Sequence, residues 1–226
     1  MMITKKINVV IAASFLLIGG FASTANASSK PSSKPVVSSD GKISCKTTTA
    51  SGHKAKKIPL PVVDPNISIR TLTINTNCGD VVIQALGDVA PVTVSAMKAM
   101  ANSGFLDKSL CHRLTTDGFF VLQCGDPTAT GKGGPNFRYS DENLPQNIEN
   151  NYPAGTVAMA NSGVGTNGSQ FFIVYKDTYL PPNYTIWGKV IKGLEIIQAV
   201  AKSGVKGGGV DGAPNTKIAI EKATLR

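Results

Sequence analysis

Cys111-His112-Arg113-Leu114-Thr115-Thr116-Asp117-Gly118-Phe119-Phe120-Val121-Leu122-Gln123-Cys124-Gly125-Asp126-Pro127 sets an arginine, one of the chain's two histidines, a phenylalanine pair and a glutamine on two short apolar segments joined by a turn. Thr116-Asp117-Gly118 suits a tight hairpin between a strand over Cys111 to Thr115 and a strand over Phe119 to Cys124. Side chains alternate along a strand, so Arg113 shares a face with Phe120 or Gln123 only in certain registers. A register with Arg113 and Gln123 on one side collects the polar groups on a single wall. Cys111 and Cys124 then stand at the far end of the hairpin and can face each other across it.

Working outward, β-branched runs predict strands over 67–76 and 81–86, with Asn77-Cys78-Gly79-Asp80 as their turn. Val157 to Asn161, Gln170 to Val174, Ile186 to Val190 and Lys217 to Thr224 read as further strands. Pro91 opens a helix that runs to about Ser103 and stops at Gly104; Val94, Met97 and Met100 or Ala101 form its apolar face. Leu194, Ile197 and Val200 or Ala201 mark a second helix ending near Gly204. Many short strands and two helices predict a mainly β fold, a closed barrel with a helix over each open end.

The remaining third of the chain reads differently. Lys5 and Lys6, an apolar run from Val9 to Ala22 and Ala25-Asn26-Ala27 form an export signal over residues 1–27, cleaved after Ala27. The run is short for a bilayer, so no stable membrane insertion is expected after cleavage. Residues 28–65 read as a flexible Ser/Lys/Pro-rich linker in which His53 has no specific task, with the folded domain over 66–226. The charge of +9 is concentrated here: the leader supplies +2, and seven lysines against Asp40 in residues 28–57 supply +6, leaving +1 for the rest. No aromatic residues interleave those lysines, so a solvated spacer is expected and no specific nucleic-acid partner.

Four cysteines bound for an oxidising compartment predict two disulfides, with Cys111–Cys124 and Cys45–Cys78 favoured among three pairings. No Cys-x-x-Cys or paired-His spacing supports a metal. Gly125 to Gly134 superficially invites a phosphate-loop reading, but the spacing is off by one and Gly133 stands where Ser or Thr is required. A hydrolase is disfavoured too, because only His112 remains as a base and no Gly-x-Ser-x-Gly turn presents a nucleophile. What remains, Arg113, Gln123, Asn161 and Gln170 beside Phe120, Phe172, Leu180, Tyr179 and Tyr184, suits an apolar pocket with a few fixed polar contacts for a peptide.

His112-Arg113, Phe120-Val121-x-Gln123-x-Gly125-Asp126, Met159-Ala160-Asn161 and Thr166-Asn167-Gly168-Ser169-Gln170-Phe171-Phe172 resemble the signature segments of cyclophilins, the cyclosporin-binding peptidyl-prolyl isomerases. The resemblance covers residues 67–224 and implies a closed eight-stranded antiparallel barrel capped by two helices. It implies that Arg113 is the catalytic arginine, that Phe120, Val121, Phe172 and Leu180 wall a proline pocket, and that His112, Gln123, Ala160, Asn161 and Gln170 surround the bound peptide. Tyr179 stands in place of the family's usual Trp, which implies weak cyclosporin binding, and Tyr184 in place of a usual His. The turn between Arg113 and Gln123 is two residues longer than the family's, which leaves Phe119 as the alternative to Phe120; counting back three from Gln123 favours Phe120. The implied protein is an exported, secreted or cell-envelope monomer that acts on proline-containing polypeptides and assists their folding without a cofactor. A low-turnover peptide-binding or chaperone module on the same fold is the alternative.

Overall fold

The computed structural model describes residues 36–38, 41–68 and 70–226, so the expected export signal and the start of the expected linker lie outside the described residues. In chain order the elements are β1 (Val36–Val37), β2 (Ile43–Ser44), β3 (Arg70–Thr76), β4 (Gly79–Ala85), α1 (Pro91–Asn102), β5 (Ser109–Leu110), β6 (Arg113–Thr115), β7 (Val121–Cys124) and β8 (Thr156–Met159). They continue with β9 (Phe171–Val174), β10 (Ile186–Lys192), α2 (Leu194–Lys202), a 3-10 turn over Lys206–Gly208, β11 (Asp211–Gly212) and β12 (Ala219–Leu225).

Ten strands form one antiparallel sheet in the order β11-β6-β7-β9-β8-β10-β4-β3-β12-β5, and β1 pairs with β2 separately. The expectation of a mainly β fold with two helices agrees with this. The expected closed eight-stranded barrel does not: the pairing runs as an open curl with β11 and β5 at its ends, and it counts ten strands. The two extra strands are two residues long, too short to carry an alternating pattern.

Alternation divides the sheet into two apolar layers. Leu72, Ile74, Val81, Ile83, Leu114, Leu122, Phe171 and Trp187 point into a large core closed by Val94, Met97 and Met100 of α1 and by Ile196, Ile197 and Val200 of α2. Pro91 opens α1, whose first N–H groups are otherwise unpaired; Glu142 accepts hydrogen bonds from Val92 N and Thr93 N at 3.0 and 2.8 Å. Gly104, with φ +68°, ends it. The second layer, on the other face, holds Val121, Tyr152, Ala158, Phe172 and Val174.

Residues 41–65 differ from the flexible linker expected there. Cys45 is bonded to Cys78 in the β3–β4 turn, Lys46 and Asn77 exchange hydrogen bonds, and Ala50 and Ile58 are buried. His53 donates its main-chain N–H to Pro127 O at 2.8 Å, and its Nε2 lies 3.2 Å from Asp107 O. Gly52 passes so close to the 125–134 loop that a Cβ there would sit 2.3 Å from Thr128 O. Several polar groups of this segment bond main-chain carbonyls of the domain, which composition alone does not reveal.

Candidate active site

One rung of the sheet builds the site. In the β6–β7 pairing Arg113 stands opposite Gln123, in β7–β9 Gln123 stands opposite Phe172, and in β8–β9 Phe172 stands opposite Ala158. Directly paired residues share a face, so these four side chains point outward from the core together. The register places Arg113 and Gln123 on the same side as the sequence reading requires, and Cys111 and Cys124 are bonded behind them.

Over this rung lies a cavity of about 250 Å³ lined by Arg113, Phe119, Val121, Gln123, Ala160, Asn161, Phe172, Leu180 and Tyr184. A second depression of about 280 Å³ shares Gln123, Ala160 and Asn161 with it and continues past Gln170, Ser169, Arg138 and the 131–134 glycines. The first is walled by apolar and aromatic groups and the second by polar ones. Tyr152, which the sequence reading passed over, braces the apolar wall: its ring lies 6.2 Å from Phe172 and 6.3 Å from Tyr184, and its hydroxyl accepts from Tyr184 N and donates to Tyr184 O. Burial pushes the Tyr152 pKa up to about 12, so the phenol stays neutral at physiological pH.

The polar groups form a directed chain. Gln170 Nε2 donates to Gly131 O and Gly133 O, Gln123 Nε2 donates to Gln170 Oε1 at 2.8 Å, and Arg113 Nη1 donates to Gln123 Oε1 at 3.3 Å. The glycine loop that starts it is tied to the buried Asp126 carboxylate, which accepts N–H groups from Thr128, Thr130, Gly131 and Gly133 and the Thr128 hydroxyl. Burial alone raises the Asp126 pKa, but these hydrogen bonds outweigh it and hold the carboxyl below its usual range. At the other end, Arg113 donates Nε and Nη2 to Asp211 at 2.7 and 2.6 Å, and its guanidinium carbon lies 5.7 Å from the Phe119 ring centroid. The Asp211 hydrogen bond raises the Arg113 pKa further, so the guanidinium is permanently charged.

Arg113, Val121, Gln123, Ala160, Asn161, Phe172, Leu180 and Tyr184 are thus brought together, with Gln170 at the adjoining depression. Three expected residues fall elsewhere. Phe120 does not line the cavity; it packs on Tyr175 with Lys176 Nζ 4.2 Å from its ring centroid, and Phe119 takes the expected place. Positions 119, 121 and 123 share parity, and parity decides facing more directly than a count of three back from Gln123. Tyr179 is half exposed and donates its hydroxyl to Asn147 Oδ1 at 2.7 Å, clear of the cavity wall that the next residue, Leu180, joins. His112, one residue from Arg113, faces away into a separate recess with Ala129, Pro214 and Ile218. Neither of its ring nitrogens has a well-formed hydrogen bond, and burial, opposed by the Asp126 carboxylate, lowers its pKa from 6.5. The Asn161 side chain is committed locally, donating to Asn183 O and accepting from Gly163 N.

No group of three or more His, Cys, Asp or Glu able to hold a metal occurs among the described residues. Over the rung the arrangement offers a fixed guanidinium, two oriented amides and an apolar slot, which can bind and polarise a neutral ligand.

Comparison with known proteins agrees with this geometry. The profile of the family described as cyclophilin type peptidyl-prolyl cis-trans isomerase matches residues 71–225. A protein of Mycobacterium tuberculosis named probable peptidyl-prolyl cis-trans isomerase B is 42% identical over 161 residues, spanning 66% of this chain and 52% of its own length. The Mycobacterium leprae protein of the same name is 39% identical over 183 residues, covering 76% of this chain and 60% of its own. This chain therefore spans between half and two thirds of those relatives. Peptidyl-prolyl cis-trans isomerase A of M. tuberculosis is 35% identical over 182 residues, which cover 73% of this chain and 96% of that protein. Among solved structures, a Cryptosporidium parvum cyclophilin type isomerase superposes with TM-score 0.60 at 29% identity, covering 70% of this chain and 98% of its own. Its structure in the presence of the dipeptide Ala-Pro superposes with TM-score 0.59.

Proposed function

We propose, from the premise that this chain belongs to the cyclophilin type peptidyl-prolyl cis-trans isomerase family, that it catalyses rotation about X-Pro bonds in the cavity over the Arg113–Gln123–Phe172 rung. The observation that carries the reading is a clamped guanidinium at the mouth of an apolar slot with room for a proline ring.

An X-Pro bond resists rotation by roughly 18–20 kcal/mol because twisting abolishes amide resonance. In the twisted state the proline nitrogen becomes pyramidal and gains a lone pair. Arg113 donates a hydrogen bond to that lone pair, which is absent in the planar ground state, so the contact lowers the barrier rather than merely tightening binding. Phe119, Val121, Phe172, Leu180 and Tyr184 enclose the ring and disfavour the charge-separated planar form. Asn161, through its main chain, and Gln123 hold the flanking peptide so that one side of the bond turns while the other stays fixed.

The substrates are proline-containing segments of polypeptides. The Lys5–Ala27 leader pattern and the two disulfides support an exported protein that assists folding outside the cytoplasm. Weak cyclosporin binding and a monomeric state complete the reading.

An X-Pro isomerisation assay tests it: Arg113→Ala is expected to lower kcat/KM by about 100- to 1,000-fold. A wild-type rate in that variant would remove Arg113 from its role. Binding of a proline peptide by wild-type protein without exchange between its cis and trans resonances would identify a binding module instead.

A further inference from the structure

We infer that Asp211 is the positioning residue of the reaction: it holds the Arg113 guanidinium so that one edge of it is presented to the twisting amide. The inference rests on the isomerase reading above. β11 pairs with β6 so that Asp211 stands opposite Thr115 and Gly212 opposite Leu114, which brings a carboxylate from 98 residues away to the arginine's flank. A guanidinium has five N–H donors in a rigid fork. Asp211 takes Nε–H and one Nη2–H in the side-on bidentate geometry, and Gln123 takes one Nη1–H. Three of five are then committed, and the two that remain belong to Nη1 and Nη2, on the side of the group away from Nε. The Phe119 ring restrains the plane of the group from a third direction.

An arginine side chain is long and loses much rotamer freedom when fixed. If that loss occurred during catalysis it would add to the barrier; Asp211 makes it part of folding. Stability does not account for the pair, since the Arg113 and Asp211 side chains are 39% and 48% exposed, and ion pairs so placed contribute little to folding. A carboxylate is also required in full: an asparagine at 211 has one acceptor oxygen, and its NH2 opposes the guanidinium.

The test compares Asp211→Asn, Arg113→Ala and wild type by X-Pro exchange kinetics, thermal unfolding and the Arg113 Nε–H resonance. For Asp211→Asn we expect an unchanged unfolding midpoint and KM, a fall in kcat of roughly tenfold, and displacement of the Nε–H resonance to the position of a solvent-bonded arginine. A wild-type kcat in Asp211→Asn, with activity lost in Arg113→Ala, overturns the role of Asp211 and leaves the isomerase reading intact. Full activity in Arg113→Ala overturns that reading and the Asp211 role with it.

Discussion

Two cross-linked regions of this molecule solve the same problem in opposite ways. The β6–β7 hairpin is joined by Cys111–Cys124, thirteen residues apart, and sends Arg113, Phe119, Val121 and Gln123 into the cavity. The strap over residues 41–65 is joined by Cys45–Cys78, thirty-three residues apart, lies outside the 71–225 family match, and is held mainly by hydrogen bonds to domain carbonyls. The hairpin's bridge secures a register on which chemistry depends. The strap's bridge secures a chain with little apolar surface of its own. Order in the first comes from packing and in the second from tethering.

The largest expected contrast is in the core. Leu122→Ala empties a fully buried site behind the rung and is expected to cost about 4 kcal/mol, against about 2 kcal/mol for Ile58→Ala, the strap's large anchor, by denaturant unfolding. Equal costs would make the strap as much a core element as β7. Opening the bridges separates the regions by function instead. Replacing either cysteine pair by alanine is expected to lower stability by roughly 3 to 4 kcal/mol on loop-closure grounds, but only loss of Cys111–Cys124 is expected to reduce kcat per folded molecule. A matching drop on losing Cys45–Cys78 would tie the strap to the site.

A smaller effect distinguishes the two faces of the hairpin by pH. The folded His112 pKa lies below 6.5, so the unfolded chain binds the extra proton first; the corresponding stability is full above pH 6.5 and declines as pH falls through it. His112→Gln is expected to flatten the midpoint between pH 5 and 7 while leaving kcat/KM near wild type. A wild-type acid slope in that variant would acquit His112. Smallest of all, Tyr179→Phe removes one exposed hydrogen bond and is expected to shift stability by less than about 0.5 kcal/mol and activity not at all.

Physical signals of different range explain what was legible in the sequence. Val94, Met97 and Met100 declared α1 by their spacing, Gly104 its end, and apolar or β-branched runs with their flanking turns eight of the ten sheet strands. Arg113, Gln123 and Phe172 were reached through the signature segments; alternation within each strand left their register open, and only the cross-strand pairing puts them on one face. The same alternation carries Phe119 rather than Phe120 into the cavity, a signal that was present and outweighed by a count borrowed from resemblance. Asp211 was not legible: it is a lone acid after Lys206-Gly207-Gly208-Gly209-Val210, and only pairing of two-residue β11 with β6 brings it to Arg113. The strap's contacts were not legible because several of its partners are main-chain carbonyls, which leave no mark on composition.

The chain from the glycine loop to the arginine has a consequence for inherited change. A side-chain amide can turn end for end at little local expense, yet here Gly131 and Gly133 admit only the donor end of Gln170. That choice dictates the orientation of Gln123 and leaves its oxygen for Arg113. A Cβ at Gly133 would fall against Asp126 Oδ1 and Thr128 Oγ1, so a methyl group there displaces the carboxylate that ties the loop. An alanine at 133, touching neither the arginine nor its ligand, would scramble the amide polarity that the active face inherits, and a survey of silent and damaging substitutions would find the lesion in a surface loop.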